Sequence, residues 1–203
     1  MKTLMTLAAV VFALQASSDV PRDAYIAAIT MSSGSSGHAC AVNGLVVTNR
    51  HMVDYRAKGD DSPPSSAKFR YEFPSGQVGR GSTLRISNVA DLAVIKLDKE
   101  PPHGYAKLGE KPKVGEIIRW VEYDFRKRED NFEARDREGK VTSVMAGMIL
   151  IEEEIVGGAS GGCAVNAAGE VVGIMTFSIR SEKDYKTGAG ATAIYGGWWK
   201  DLE

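Results

Sequence analysis

The sequence has few of the residues that build metal centres and almost no net charge. It contains two cysteines and three histidines in 203 residues, and neither type has the spacing of zinc ligands, so we expect no metal. The formal net charge of −1 gives no reason to expect binding to nucleic acid. Beyond the N-terminal segment, no apolar run approaches the roughly 20 residues that span a bilayer. We therefore expect no stable membrane insertion of the mature protein.

The first residues have the pattern of a secretory signal peptide. Lys2 precedes a mostly apolar run, Leu4–Leu14, and the small residues Ala16, Ser17 and Ser18 follow it. This pattern predicts a signal peptide within residues 1–18 and export to the periplasm or the medium. The alternative is an N-terminal strand or helix in a cytoplasmic or phage-encoded protein.

Short apolar or alternating runs separated by turn residues predict an all-β, antiparallel protein, and 22 glycines agree with many turns. The runs are Ala24–Met31, Cys40–Thr48, Lys68–Phe73, Ser82–Ser87, Asp91–Leu97, Glu116–Tyr123, Gly139–Ser143, Met148–Glu153, Glu170–Phe177 and Gly188–Tyr195. Residues 98–115 contain three prolines and three glycines, and we interpret them as the connection between two halves. The densely charged Phe125–Lys140 indicates a solvated hairpin or loop.

The segment Gly158-Ala159-Ser160-Gly161-Gly162 has the composition of a nucleophilic serine site. A serine between small residues presents its hydroxyl with little cover, and consecutive N–H groups in such a turn can hold an oxyanion. The same residues could equally form a plain tight turn between two strands.

The positions of the histidines restrict the possible catalytic sites. A serine nucleophile usually needs a histidine base and a carboxylate that orients the base. His38, His51 and His103 all precede Ser160, which excludes the order Ser, acid, His of α/β-hydrolases. The order His, Asp, Ser is met by His51, Asp91 and Ser160. We expect His103 to be a solvated residue of the connection, and His38 to make a structural hydrogen bond.

Three segments in this order resemble those of trypsin-like, chymotrypsin-fold serine peptidases. Thr48-Asn49-Arg50-His51 follows the apolar Leu45-Val46-Val47, as in the segment of the family's catalytic histidine. Asp91-Leu92-Ala93-Val94-Ile95-Lys96-Leu97 is similar to the segment of the aspartate, and Gly158–Gly162 to the motif of the serine. The looser bacterial branch, with HtrA-type protease domains, looks closer than digestive trypsin.

The resemblance implies two antiparallel six-stranded β-barrels with the active site in the cleft between them. The boundaries would be residues 19–105 for the N-terminal barrel and 106–203 for the C-terminal barrel with a short terminal helix. It also implies a serine endopeptidase acting on protein or peptide substrates without a cofactor. The catalytic residues would be His51, Asp91 and Ser160, with the N–H groups of Gly158 and Ser160 as the oxyanion hole.

Two residues near the serine depart from the family's pattern. Ala159 stands where Asp or Asn is common, so it cannot pair with a new N-terminus after zymogen cleavage. Cys163 stands where proline is common, and the implied fold brings the strand of Cys40 beside it. A Cys40–Cys163 disulfide and two buried thiols both remain open.

The resemblance also suggests where substrate binds. Glu154, six residues before the serine, would lie at the base of the primary pocket and favour Arg or Lys, unless it is a solvated strand end. Thr176-Phe177-Ser178 would pair with the substrate backbone, and Gly188–Thr192 could form pocket walls. Two other functions stay open: a catalytically inactive member of the fold that serves as a binding or structural module, and an esterase with the same triad.

Overall fold

The computed structural model describes residues 22–31, 34–54, 67–123, 134–153, 158–180 and 187–194. The predicted signal peptide, Glu154 and the predicted terminal helix lie outside these residues. Within the described part of the chain, no helix has the length and apolar character needed to cross a membrane.

Twelve strands and one short α-helix make up the described secondary structure, after a 3-10 turn at Arg22–Tyr25. The strands are β1 Ile26–Met31, β2 Ser36–Val42, β3 Leu45–Thr48, β4 Lys68–Glu72, β5 Val78–Ile86, β6 Ala93–Leu97, β7 Ile117–Tyr123, β8 Ala134–Met145, β9 Met148–Glu152, β10 Cys163–Val165, β11 Val171–Arg180 and β12 Thr187–Ala193. The helix α1 is Arg50–Val53.

The first six strands form a closed antiparallel barrel in the order β1-β2-β3-β6-β5-β4, with β1 also paired to β4. The sequence predicted a single strand over Cys40–Thr48, which is wrong. Asn43 and Gly44 both have positive φ, 47° and 80°, and divide this run into the hairpin β2–β3. Asn-Gly favours such two-residue turns because both residues tolerate the left-handed region.

The other six strands form a second closed barrel in the order β10-β11-β12-β9-β8-β7. It closes where Val165 on β10 pairs with Arg119 on β7. The described part of the charged segment, residues 134–140, belongs to β8 and pairs with β7 along its whole length. The described part of this segment thus lies on a strand of an antiparallel pair, which agrees with the predicted hairpin rather than with a loop.

The described residues form three hydrophobic clusters. One fills the first barrel, around Ile29, Phe69 and Tyr71, and one fills the second, around Trp120 and Ile151. The third lies between the barrels and draws on both; its fully or nearly fully buried members are Ile26, Cys40, Val42, Val47, Leu92, Val94, Ala106, Val121, Cys163, Val165, Val171, Ile174 and Ile194. This shared cluster fixes the cleft in which the site residues meet.

A disulfide crosses the same interface. Cys40 on β2 and Cys163 on β10 are bonded, with their Cα atoms 5.2 Å apart and 123 residues between them in sequence. Of the two alternatives left open by the sequence, the structure has the disulfide. It therefore ties the strand that precedes His51 to the segment that follows Ser160.

Candidate active site

His51 is presented by α1, which begins directly after β3. Val46 packs in the core of the first barrel and Val47 in the cluster between the barrels, so the position of β3 is fixed. The start of α1, which follows β3, is therefore fixed as well. The buried side chains of Met52 and Val53 then hold α1 against the barrel. The His51 side chain is 46% exposed and lies on the solvent side of this turn.

Asp91 is positioned by a tight loop before β6. The Ser87 side chain accepts hydrogen bonds from the N–H groups of Val89 and Ala90, at 3.2 and 3.0 Å. The Ser87 N–H closes the loop by donating to the carbonyl oxygen of Leu92 at 2.9 Å. A serine that bonds the backbone two and three residues on is a common way to stabilise such a turn.

His51 and Asp91 are joined by two hydrogen bonds. Nδ1 of His51 lies 2.7 Å from Oδ2 of Asp91, and the His51 backbone N–H donates to Oδ1 at 2.9 Å. Burial raises the pKa of Asp91, but the hydrogen bonds and charge of His51 and the Arg50 N–H outweigh burial and leave that pKa below its usual value. Asp91 is therefore a carboxylate at neutral pH, and Nε2 of His51 points away from it.

Ser160 lies on the turn between β9 and β10. Its hydroxyl donates to the carbonyl oxygen of Thr176 at 3.3 Å. Gly158 and Gly161 have φ values of 108° and 89°, which glycine adopts at little cost. The Gly161 N–H donates to the carbonyl oxygen of Met175 at 2.8 Å, and this bond holds the turn against β11.

The sequence did not identify a polar network that connects the two barrels beneath the site. Asn49 is fully buried, and its Nδ2 donates to the Asp91 carbonyl at 3.1 Å and to Oγ1 of Thr176 at 3.0 Å. Oγ1 of Thr176 also lies 2.7 Å from Oγ1 of Thr192. The Thr176 carbonyl oxygen accepts the hydrogen bond of the Ser160 hydroxyl. Asn49 and Thr176 together therefore bridge the loop of Asp91 and the turn of Ser160. The sequence feature that could have indicated this network is the polar Asn49, which lies between the strand β3 and His51.

The remaining candidates fall in different places. His103 is exposed in the connection, and His38 is fully buried on β2. Glu154 lies outside the described residues, so its place in the pocket stays a prediction. Glu153 beside it lies 3.8 Å from Arg137, so its carboxylate is paired on the second barrel.

The predicted substrate-pairing segment lies on β11. Thr176 is the extra residue of the bulge between Met175 and Phe177, and Phe177 and Ser178 pair with Gly190 and Ala189 of β12. β10 pairs with β11 only as far as Ile174. The described strands thus leave one edge of β11 unpaired next to Ser160, and the Thr176 side chain itself is turned into the buried network. The suggested pocket walls, Gly188–Thr192, belong to β12.

The described residues include no group of three His, Cys, Asp or Glu side chains that could hold a metal ion. The family model of the trypsin-like peptidase domain matches residues 32–174, which is more than half of the chain. The chain belongs to the trypsin-like peptidase family. The match spans both barrels and includes His51, Asp91 and Ser160, and it confirms the family that the three sequence segments suggested.

A curated relative of this peptidase is the mitochondrial serine protease HTRA2 of Bos taurus. The two are 28% identical over 160 residues, which is 73% of this chain and 32% of the relative. The chain therefore spans about a third of the length of that protein.

Solved structures share the fold. A Glu endopeptidase superposes with a TM-score of 0.66 at 19% identity, covering 88% of each chain. The HtrA-type protease AlgW gives 0.64 at 21% identity, covering 85% of this chain and 57% of AlgW. An astrovirus serine protease gives 0.63 at 14% identity, covering 86% and 91%. The predicted double barrel and its likeness to the HtrA-type branch are confirmed.

Proposed function

We propose that this trypsin-like peptidase is a serine endopeptidase in which Ser160 is the nucleophile, His51 the general base and Asp91 the carboxylate that orients the base. The observation that carries this proposal is the pair of hydrogen bonds between His51 and Asp91, at 2.7 and 2.9 Å. They fix the ring with Nδ1 towards the carboxylate and leave Nε2 for the serine hydroxyl. For proton transfer, the Ser160 hydroxyl has to leave the Thr176 carbonyl oxygen and reach Nε2 of His51.

The reaction follows from these roles. Ser160 Oγ attacks the peptide carbonyl carbon while His51 Nε2 takes its proton, and Asp91 stabilises the imidazolium that forms. The N–H groups of Gly158 and Ser160 bind the oxyanion of the tetrahedral intermediate, where one such donor is typically worth about 10²–10³ in rate. His51 then gives the proton to the leaving amine. Water then attacks the acyl-enzyme through the same proton transfers and releases the second product.

Turnover of an unfolded protein such as casein and of a small activated ester tests this function. We expect the wild type to cleave both, and Ser160→Ala and His51→Ala to lose at least about 10³-fold in kcat. His103→Ala, which changes an exposed histidine of the connection, is the matched control and should keep wild-type turnover. Ester hydrolysis without protein cleavage would indicate the esterase instead. No turnover and no labelling by a fluorophosphonate would favour the binding or structural module.

We also propose that Glu154 sets a preference for Arg or Lys before the scissile bond. Its two glutamate neighbours have other surroundings: Glu152 is exposed at the end of β9, and Glu153 faces Arg137. Glu154→Gln should lower kcat/KM for Arg and Lys peptides about tenfold or more while leaving other peptides unchanged, because charge-assisted hydrogen bonds to the substrate are lost. Glu152→Gln is the control, and an unchanged cleavage profile of Glu154→Gln would exclude this role.

Export of the chain to an oxidising compartment is a further part of the proposal. The N-terminal pattern of residues 1–18 supports it, and so does the disulfide, because structural disulfides persist in oxidising compartments. Fractionation of expressing cells, with N-terminal sequencing of the mature protein, tests it. A cytoplasmic protein that retains Met1 would contradict it.

A further inference from the structure

Asn49 stands at the N-cap position of α1, but its side chain does not cap the helix. An N-cap asparagine typically accepts a hydrogen bond from a backbone N–H of the first helical turn through its side-chain oxygen. The Asn49 side chain makes no such bond, and its buried Oδ1 has no hydrogen-bond partner among the described residues. A buried acceptor without a partner is unfavourable. Formation of the helix therefore does not explain this side chain.

The amide nitrogen of Asn49 joins the two barrels instead. Nδ2 carries two hydrogens, and each has an acceptor. One acceptor is the backbone carbonyl oxygen of Asp91, at 3.1 Å, in the loop before β6 of the first barrel. The other is Oγ1 of Thr176, at 3.0 Å, on β11 of the second barrel. Both donors of the fully buried amide are thus used across the cleft.

At the second barrel, the amide acts on the residue that holds the serine hydroxyl. Thr176 is the extra residue of the bulge in β11, and its hydroxyl donates to the Ile174 carbonyl oxygen at 2.7 Å. The same Oγ1 accepts the backbone N–H of Thr192 at 3.1 Å. The Thr176 carbonyl oxygen accepts the Ser160 hydroxyl at 3.3 Å. The position of this carbonyl therefore depends on the hydrogen bonds of its own side chain.

At the first barrel, the amide acts on the residue that orients the histidine. Asn49 binds the backbone of Asp91, whose carboxylate makes both hydrogen bonds with His51. The Asn49 carbonyl oxygen also accepts the Met52 N–H at 3.2 Å, so the backbone of Asn49 is part of the turn that presents His51. One residue thus contacts the elements that carry the base, the carboxylate and the acceptor of the serine hydroxyl.

We propose that Asn49 is a positioning residue for catalysis, whose side-chain amide holds the Asp91 backbone and the Thr176 hydroxyl at a fixed separation. Ser160 then stays within reach of His51 for proton transfer. The proposal rests on the function proposed above. Asn49 acts through Asp91 and Thr176 and makes no contact with the reacting atoms.

The test removes the bridge from either end. Asn49→Leu keeps the branched shape of the side chain without a donor, and Thr176→Val keeps the shape of threonine without the hydroxyl. Labelling by a fluorophosphonate separates the first-order rate constant kinact from the binding constant KI. We expect kinact of Asn49→Leu to fall at least about tenfold, because small displacements of reacting groups are costly, with KI within about threefold of wild type. The double variant should lose much less than the product of the two single losses, since both substitutions break the same hydrogen bond.

Asn166→Leu is the matched control. Asn166 also makes several side-chain hydrogen bonds, to Glu170 and Ala168, but it lies in the turn between β10 and β11 and contacts none of the proposed catalytic residues. It should lose stability and keep wild-type kinact. The NMR signal of the His51 Nδ1 proton, which lies in the bond to Asp91, should move in Asn49→Leu and stay in place in Asn166→Leu.

Several outcomes would overturn the proposal. A folded Asn49→Leu variant with wild-type kinact shows that the amide positions nothing, and a loss confined to KI shows an effect on binding alone. Equal losses of kinact in Asn49→Leu and Asn166→Leu show a general loosening of the fold. Losses that multiply in the double variant show that Asn49 does not act through Thr176. The wild type must itself be labelled and Ser160→Ala must not be, so failure of the proposed function is seen separately.

A measurement on the wild type covers the case in which Asn49→Leu does not fold. In spectra of protein with 15N-labelled asparagine, the two amide protons of Asn49 should give separate signals, because each has a different acceptor. Both should exchange with solvent slowly, before and after Ser160 is labelled, since the amide is buried and fixed. Exchange as fast as in an exposed asparagine, or one averaged signal from a rotating amide, would contradict the proposal.

Discussion

At the scale of single residues, the pair His51 and Asp91 shows how an exposed histidine acquires one orientation. Asp91 makes hydrogen bonds with both the ring Nδ1 and the backbone N–H of His51. Rotation of the ring would therefore break one of these two hydrogen bonds. The backbone bond also contributes to the low pKa of Asp91. The carboxylate is therefore ionised throughout the range in which a serine peptidase works.

Asp91→Asn tests this orientation. The amide presents an N–H where Nδ1–H should donate, so the ring is held in the tautomer that cannot accept the serine proton. We expect kcat to fall by roughly 10⁴-fold, the loss typical of such a substitution in a Ser-His-Asp triad. Asp98→Asn is a matched control, since Asp98 receives the Tyr71 hydroxyl at 2.8 Å on the first barrel, outside the site. A loss of less than tenfold in Asp91→Asn would exclude the role of Asp91.

The buried His38 makes the stability of the protein depend on pH. Burial lowers its pKa from 6.5 to about 4, so between these pH values the unfolded chain binds a proton that the folded chain does not. The free energy of unfolding is therefore unaffected above pH 6.5 and falls as the pH is lowered towards 4, by up to about 3 kcal/mol from this residue. Urea unfolding at several pH values measures the change. His38→Gln should lose this part of the acid dependence, and an identical pH profile in the two proteins would contradict the assignment.

At the scale of elements, the sequence predicted strands where apolar residues recur and missed those defined by a turn or a partner. The run that contains Val42, Leu45 and Val47 looks continuous, and only the dihedrals of Asn43 and Gly44 divide it into β2 and β3. β10 has three residues and is too short to show a period, so its existence depends on pairing with β11 and β7. The helix α1 has only four residues, Arg50–Val53, and is likewise too short to show a helical period in the sequence.

Gly161→Ala tests the contact between β2 and the turn of the serine. The new Cβ would overlap the His38 carbonyl oxygen, so the turn must move away from the first barrel. We expect kcat to fall at least 100-fold, because the serine and the oxyanion donors move together. Gly76→Ala is the matched control: φ is 82° there, against 89° at Gly161, and nothing lies within 4 Å of a Cβ. It should lose about 1 kcal/mol of stability and no activity, and equal activity in both variants would contradict the contact.

At the scale of the whole molecule, the site depends on the contact between the barrels. The sequence predicted His51, Asp91 and Ser160 because each lies in a short segment with its own pattern. It did not predict that Asn49 bridges Asp91 to Thr176, because such contacts arise only when the barrels pack. Neither could the sequence choose between a disulfide and two thiols, since that choice depends on the distance between β2 and β10.

The disulfide should contribute strongly to stability. It closes a loop with a sequence separation of 123, for which the chain-entropy estimate is about 4–5 kcal/mol. We expect the double variant Cys40→Ser, Cys163→Ser to lose several kcal/mol in urea unfolding, and reductant to destabilise the wild type to a similar extent. The double variant should not respond to reductant. A wild type that unfolds at the same urea concentration with and without reductant would contradict this contribution.

The proposed function requires that Ser160, activated across the cleft by His51, is the nucleophile. The most direct measurement is peptide mapping by mass spectrometry of the protein after reaction with a fluorophosphonate. We expect one phosphonyl group per chain, located on Ser160, and at least 100-fold slower modification in His51→Ala. A phosphonyl group on a different residue, or equal rates with and without the imidazole, would contradict it.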